Sequence, residues 1–334
     1  MAEKKLHILL VLTGGTIGTC VSEDGKRRIT PESGAMDPLL FQLIRKERPE
    51  LKMDVDVVVP YQVLSEHMNL DYLNRLGETF RESQIQNYDG VLITHGSDTL
   101  AFTAAFLGEL LHGCPVPVFL LASQRPLEDP ESNGLENSLT ALEMIRSGWY
   151  TQRDPEEVKC AFVYVPYRNS DGVMYIHRAT ELQQCEPGTD DFFSEGMRAV
   201  PQMYREYAKE TGDGEPSDDF TLWKVPEVRL SPDVLLIHPY VGIRYDCINL
   251  SGIRAVLHTL YHSSTAPKEL TGFLDRCKAE SVACYILPCD REAYHYETTT
   301  ELLRGGAIPL SGMTEERAYM RLLLGKTGDE SGNK

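Results

Sequence analysis

The stretch Leu9-Leu10-Val11-Leu12-Thr13-Gly14-Gly15-Thr16 decides how the chain is read. A continuous apolar run without alternation suits a strand buried on both faces of a parallel sheet. The paired glycines after it permit a sharp turn and let backbone N–H groups come close to a ligand. Thr16 then stands just past the turn with a hydroxyl to offer. Three further segments repeat the pattern. Val91-Leu92-Ile93 runs into Thr94-His95-Gly96-Ser97-Asp98, and Val118-Phe119-Leu120-Leu121 runs into Ala122-Ser123-Gln124. Ala161-Phe162-Val163-Tyr164-Val165 runs into Pro166-Tyr167-Arg168-Asn169.

Helical patterns lie between these runs. Asn69 to Gln86 is amphipathic, Thr99 to His112 is apolar nearly all round, and Asn137 to Ser147 follows a turn-rich stretch. Strand and helix alternate, which predicts an α/β sheet with right-handed crossovers. Ligands of such sheets sit beyond the carboxyl ends of the strands, where the polar residues named above all fall. Arg205 to Glu227 is polar and rich in Gly and Pro, and reads as the region of an interdomain linker. Beyond it the strand-then-polar pattern resumes at Val234 to Ile237, Ile253 to Leu260 and Val282 to Leu287. Thr314 with Glu315 and Glu316 reads as the capped, acidic start of a last helix. The expected organisation is a larger N-terminal domain over 1–210, a linker over 211–227 and a smaller C-terminal α/β domain over 228–334. The larger domain is expected to hold a mostly parallel sheet flanked by helices.

Composition narrows the function classes. With 42% hydrophobic and 25% charged residues the chain is an ordinary globular protein, not a disordered one. Against 33 basic residues stand 50 acidic ones, a net charge of −17 that repels nucleic acid and anionic membranes. The apolar run at Leu6 to Leu12 is far short of the roughly 20 residues of a spanning helix. It is also cut off too early to serve as an export signal. A cytoplasmic location is expected, with the eight cysteines as free thiols, since none forms a Cys-x-x-Cys pair or completes a zinc site.

The residues alone leave the chemistry open. The first glycine turn lacks the Gly-x-Gly-x-x-Gly spacing of a dinucleotide site. There is no Gly-x-Ser-x-Gly elbow and no His-Glu-x-x-His metal motif. Ser97 beside Asp98 at a helix start can transfer a proton or hold an amine, or can simply cap the helix. His67, His95 and His262 are equally open between acid–base and structural roles. What remains is a metal-free, hydroxyl-based site of unspecified substrate.

Taken together, Thr13-Gly14-Gly15-Thr16-Ile17 and Thr94-His95-Gly96-Ser97-Asp98-Thr99 resemble the two signatures of the bacterial-type L-asparaginase family, Thr-Gly-Gly-Thr-Ile and His-Gly-Thr-Asp-Thr. The likeness continues through Ser123-Gln124-Arg125-Pro126-Leu127, Ser132-Asn133-Gly134 and Asn137. Further on it includes His177-Arg178-Ala179-Thr180, Asp191-Phe192-Phe193-Ser194 and Gly312 to Ala318. The resemblance implies a two-domain asparaginase-like fold, a homo-oligomer (dimer or tetramer) and no metal or organic cofactor. Each site would lie where an N-terminal domain meets the neighbour's C-terminal domain.

The implied reaction is hydrolysis of the side-chain amide of L-asparagine, sometimes L-glutamine, to the acid and ammonia. Thr16 matches the nucleophile. Ser97 and Asp98 match the second signature's pair, with Asp98 on the substrate α-ammonium. Ser65 and Glu66 match positions that hold the α-carboxylate and amine. Backbone groups at Gly96 and Ser123 match those that face the amide. A glutaminase, an ammonia-supplying subunit of a glutamyl-tRNA amidotransferase and a non-catalytic amino-acid sensor are the alternatives.

The chain departs from the family in three places. Ser97 replaces threonine, Glu181 stands where the family has lysine, and no lid tyrosine lies between Gly18 and Gly34. A carboxylate in place of the lysine raises the pKa of a neighbouring hydroxyl, so Arg178 or His177 would have to supply the missing positive charge.

Overall fold

In the computed structural model the chain forms two compact units, Met1–Val228 and Arg229–Lys334. The structure describes residues 5–21, 27–29, 39–148, 162–194, 198–199, 223–290 and 296–327. Most of the expected linker lies outside them. Residues 223–228 pack on the first unit, where the Trp223 indole donates to the His112 carbonyl at 3.1 Å and Glu227 pairs with Arg81 at 3.4 Å.

The first unit is built on a seven-stranded sheet. Its strands are β1 (Leu6–Leu12), β4 (Met53–Val58), β5 (Gly90–Thr94), β6 (Val118–Leu121), β7 (Val163–Arg168), β8 (Met174–Arg178) and β11 (Arg198–Ala199), in the order β11-β8-β7-β6-β5-β1-β4. The five strands β4, β1, β5, β6 and β7 run parallel. β8 and β11 add an antiparallel edge. A hairpin of β2 (Thr19–Val21) and β3 (Arg27–Ile29) follows the first turn, and β9 (Leu182–Gln183) pairs with β10 (Phe193–Ser194).

Strands β1, β5 and β6 are buried along nearly their whole length because helices cover both faces. Alternate residues Leu6, Ile8, Leu10 and Leu12 join a core with α1 (Leu39–Glu47) and α4 (Gly134–Ser147). The intervening Leu9 and Val11 point to the opposite face. There α2 (Leu70–Glu82) packs on α3 (Leu100–Leu110), whose near-complete burial explains its all-round apolar sequence. The chain steps from β1 to β4 on one side and then to β5 on the other. The sheet's topological switch point therefore falls between β1 and β5, where such sheets open a ligand crevice.

One strand runs further than its sequence implies. β7 continues through Pro166 to Arg168. Its pairing with β6 ends at Tyr164, so Pro166 lacks an N–H only where one neighbour remains to be satisfied.

In the second unit β12 (Val234–Ile237), β13 (Ala255–Thr259), β14 (Ala283–Leu287) and β15 (Ile308–Pro309) form a parallel sheet in chain order. The helices α5 (Leu270–Ala279), α6 (Glu297–Arg304) and α7 (Glu315–Leu323) complete it. Thr314 caps α7 by accepting from the Arg317 N–H at 3.2 Å, as its place before two glutamates predicts. The described cysteines 114, 185, 247, 277, 284 and 289 are free. Among the described residues no helix is long and apolar enough to cross a membrane.

Three histidines are sealed in these cores. Burial pushes His95, His177 and His258 down to about 4 from the usual 6.5. Each is neutral when folded and takes up a proton more readily when unfolded. The stability tied to their neutrality is present above pH 6.5 and is lost as pH falls toward 4, at about 3 kcal/mol for each one at the limit. Urea unfolding should show stability falling steadily between pH 7 and about 4. A flat profile across that window is the contrary result.

Candidate active site

The site begins where β1 ends. Leu12 is in register with Thr94 of β5, so the two strands release their loops side by side. The Thr13 N–H donates to Thr94 Oγ1 at 3.2 Å, and the Thr13 hydroxyl donates to the Thr94 carbonyl. Gly14 and Gly15 follow with φ of +111° and +83°, a region that favours glycine. A Cβ on Gly14 would enter the Val63 backbone, and one on Gly15 would enter the His95–Gly96 peptide. A Cβ on Gly96 would in turn strike the Ser65 hydroxyl. Three loops thus meet through bare backbone. Thr16 follows Gly15 and Ser97 follows Gly96, so the two hydroxyl residues leave the same contact. Both are half-buried, and Thr16 opens a 3-10 turn over Thr16–Gly18.

Ser65 locks the second loop. Its hydroxyl donates to Asp98 Oδ2 at 3.0 Å and accepts from the Asp98 N–H at 3.2 Å. The Thr99 hydroxyl donates to the Ser65 carbonyl at 3.0 Å. Asp98 is exposed at the start of the Ser97–Thr99 turn that leads into α3, where the helix dipole favours its charge. Ser65 engages one carboxylate oxygen, and the second can meet another donor. Glu66 lies exposed in the same 3-10 turn as Ser65.

His95 is structural. Its Nδ1–H donates to the Gly96 carbonyl at 2.7 Å and Nε2 accepts from the Thr103 hydroxyl at 2.9 Å. Its burial keeps it neutral, so it stiffens the loop and does not shuttle protons. His67 is exposed on the 3-10 turn, and His262 is exposed in the second unit, with Nε2 3.1 Å from the Ser263 hydroxyl.

Ser123 sits at the end of β6. A Cβ on Gly134, at the head of α4, would meet the Ser123 and Leu127 side chains, with Ile17 beside them. The third strand end is therefore packed against the residue after Thr16. Two buried asparagines hold this corner. The Gln124 N–H donates to Asn133 Oδ1 at 3.0 Å, while Asn133 Nδ2 donates to the Arg168 carbonyl at 2.9 Å. Asn137 accepts from the Arg168 N–H and donates to the Ala122 carbonyl, both at 2.9 Å. All seven residues singled out in the sequence, namely Thr16, Ser65, Glu66, Gly96, Ser97, Asp98 and Ser123, lie at this one edge of the sheet.

The end of β8 and the segment after it differ from expectation. His177 is fully buried, its Nδ1 is 3.0 Å from the Ser194 hydroxyl, and its desolvated ring is neutral. It therefore does not supply a positive charge. Arg178 donates to Glu181 at 3.4 Å, an ion pair with both partners half-buried. The group that reaches the Ser97 loop is Gln184, whose Nε2 donates to the Ser97 carbonyl at 2.7 Å. Gln184 is invisible to a sequence reading, because nothing in its local pattern marks a partner 87 residues away. Among the described residues no group of three or more His, Cys, Asp or Glu is placed to hold a metal ion.

Residues 7–205 match the family model described as asparaginase, N-terminal. The chain belongs to the asparaginase family. It is similar to a glutamyl-tRNA(Gln) amidotransferase subunit of Thermococcus kodakarensis, 28% identical with 96% of this chain and 72% of that one covered. The corresponding protein of Pyrococcus furiosus is 27% identical, with 98% and 74% covered. Among solved structures, the thermostable L-asparaginase of Thermococcus kodakarensis superposes with a TM-score of 0.69 at 21% identity. L-asparaginase I of Vibrio cholerae gives a TM-score of 0.70 at 22% identity, and each covers 96% of this chain and 92% of the other. The fold is the asparaginase fold, and the family is one of amidohydrolase-type enzymes.

Backbone contact at Gly15 is a testable requirement. Gly15→Ala should destabilise the protein by at least about 2 kcal/mol, since the new methyl group meets a peptide and the φ is unfavourable as well. Gly172 has φ +77° but nothing within 4 Å of the place a methyl group would take, so Gly172→Ala should cost only about 1 kcal/mol. Equal losses in chemical denaturation would contradict the close approach.

Proposed function

We propose that the chain hydrolyses the side-chain amide of L-asparagine to L-aspartate and ammonia. The observation that supports this reading is the close approach of the Gly14-Gly15-Thr16 turn to the Gly96-Ser97-Asp98 turn, with two hydroxyl residues and a carboxylate directly following the contact. The Thr16 oxygen attacks the amide carbon, and its proton departs with the nitrogen as ammonia. Water then splits the resulting ester, releasing aspartate and restoring the Thr16 hydroxyl. Backbone N–H groups near Gly96 and Ser123 would face the oxyanion. Asp98 takes the substrate ammonium, with Glu66 as a second negative group beside it. Ser97 serves the proton relay or the substrate carbonyl.

The amidotransferase subunits to which the chain is similar favour a second reading. In that case the ammonia is passed to a protein partner and L-glutamine competes as donor. On the first reading the chain works as a homo-oligomer, dimer or tetramer, in the cytoplasm. Ammonia release from L-asparagine, D-asparagine and L-glutamine by the purified protein separates the readings. A preference for L-asparagine without added partner supports the first. Binding of amino acid without ammonia release would sink the first.

Thr16→Ala should lower kcat at least roughly a thousandfold, about 4 kcal/mol of barrier, and leave the fold intact. Near-normal turnover in that variant rejects Thr16 as nucleophile. Asp98→Asn should raise KM for L-asparagine at least roughly tenfold, because a charge-assisted contact is lost. Analogues without the α-amine should be affected much less. An unchanged KM and analogue preference would leave Asp98 only its structural bond to Ser65.

A further inference from the structure

The junction between the Ser97–Thr99 turn and α3 is capped from a distant segment. Neither Gly96 nor Thr99, the residues that precede the turn and the helix, caps them with its own side chain. A helix start leaves its first N–H groups without intrahelical partners. Here the Ala101 N–H donates to Gln184 Oε1 at 3.2 Å, across 83 residues of sequence. The same carboxamide donates through Nε2 to the Ser97 carbonyl at 2.7 Å.

Ser97 C=O and Ala101 N–H stand four residues apart, the pair that an α-helix joins directly. Gln184 is inserted between them. The Ser97 carbonyl meanwhile accepts from the Leu100 N–H, which closes a 3-10 turn. The two helix types differ in residues per turn, so the switch point between them fixes where the Ser97 and Asp98 side chains aim. Only one orientation of the amide satisfies both contacts, and a carboxylate at this position has no proton for the Ser97 carbonyl.

We propose that Gln184 is a positioning residue of the site. Its carboxamide holds the 3-10 turn apart from α3 and so aims the Ser97 hydroxyl and the Asp98 carboxylate. Ser65 holds the same turn through Asp98, and Gln184 holds it from the side of the β9 segment. The inference rests on the amidohydrolase reading for its kinetic arm but not for its structural one.

Gln184→Met keeps the side-chain length and removes the hydrogen bonds to Ser97 and Ala101. Gln184→Glu keeps the acceptor and loses the donor until its carboxyl is protonated. With L-asparagine as substrate, kcat should fall at least tenfold in both variants near pH 8. As pH is lowered to about 5, the ratio of Gln184→Glu to parent activity should climb, because the protonated carboxyl again offers one donor and one acceptor. Residue-resolved hydrogen exchange at Ala101 should quicken at least tenfold in Gln184→Met and stay slow in Gln184→Glu. Parental kcat in Gln184→Met, or a flat activity ratio across the pH range, overturns the proposal. If the parent releases no ammonia from L-asparagine, D-asparagine or L-glutamine, the amidohydrolase reading fails and the exchange measurement decides. Unchanged exchange at Ala101 in Gln184→Met then overturns the positioning role, and faster exchange upholds it.

Discussion

The site depends on the approach of the Gly15 backbone to the His95–Gly96 peptide. A side chain at Gly15 would push the β1 loop away from the β5 loop, and one at Gly96 would push Ser65 away. With none present, the loops after β1, β4 and β5 close on one another at the switch point of the sheet. The Thr13 and Thr94 groups fasten the first pair, and the Val63 N–H donates to the Thr13 carbonyl at 3.0 Å to fasten the second. Thr16, Ser65, Ser97 and Asp98 inherit their proximity from these backbone contacts, so no long flexible side chain is needed to bring them together.

Rigidity comes from a different source. Leaving a buried polar group unsatisfied costs about 1–3 kcal/mol, so each side chain that satisfies one resists displacement. His95, Asn133, Asn137 and Gln184 each bond to backbone at the loop ends, and the last three reach backbone from other segments. Asn133 and Asn137 together take both backbone groups of Arg168 while holding Ala122 and Gln124. Sites that stabilise developing charge work best when their dipoles are fixed before substrate arrives, and these side chains fix them.

What was legible in the sequence was local. The parallel core could be read because Leu9–Leu12, Val91–Ile93 and Val118–Leu121 are unbroken apolar runs, and the turns because each run ends in glycine or small polar residues. The gathering of Thr16, Ser97 and Asp98 followed from the rule that strand ends carry the ligand. The extra antiparallel strands were not legible, since Met174–Arg178 is half-buried everywhere but at His177 and has no long apolar run to mark it. Nor was the path of β7 through Pro166, which depends on where β6 stops. His177 looked like a charge donor in sequence, but a ring so deeply buried is desolvated and neutral. Gln184 carried no signal at all, because its role is defined by partners at Ser97 and Ala101.

The Arg178–Glu181 pair bears on how such a site can diverge. The resemblance implies a lysine at position 181, one that would favour a deprotonated hydroxyl nearby. Here a carboxylate occupies the position and its charge is offset by Arg178, so a cation has become an ion pair that is neutral overall. On the proposed reading this alters the ease of proton transfer at Ser97 and leaves substrate recognition alone. The groups proposed for recognition, Ser65, Glu66 and Asp98, lie on the loops after β4 and β5, and Gln184 bonds beside them to the Ser97 carbonyl and the Ala101 N–H. On the same reading Arg178, at the end of β8, and Glu181, just after it, are the groups that bear on hydroxyl activation. With the two tasks on separate pieces of chain, the proposed reading lets rate change by substitution at Glu181 while the pocket keeps its shape. The same separation makes Gln184 the point at which a change in the activating segment is felt by the binding loop.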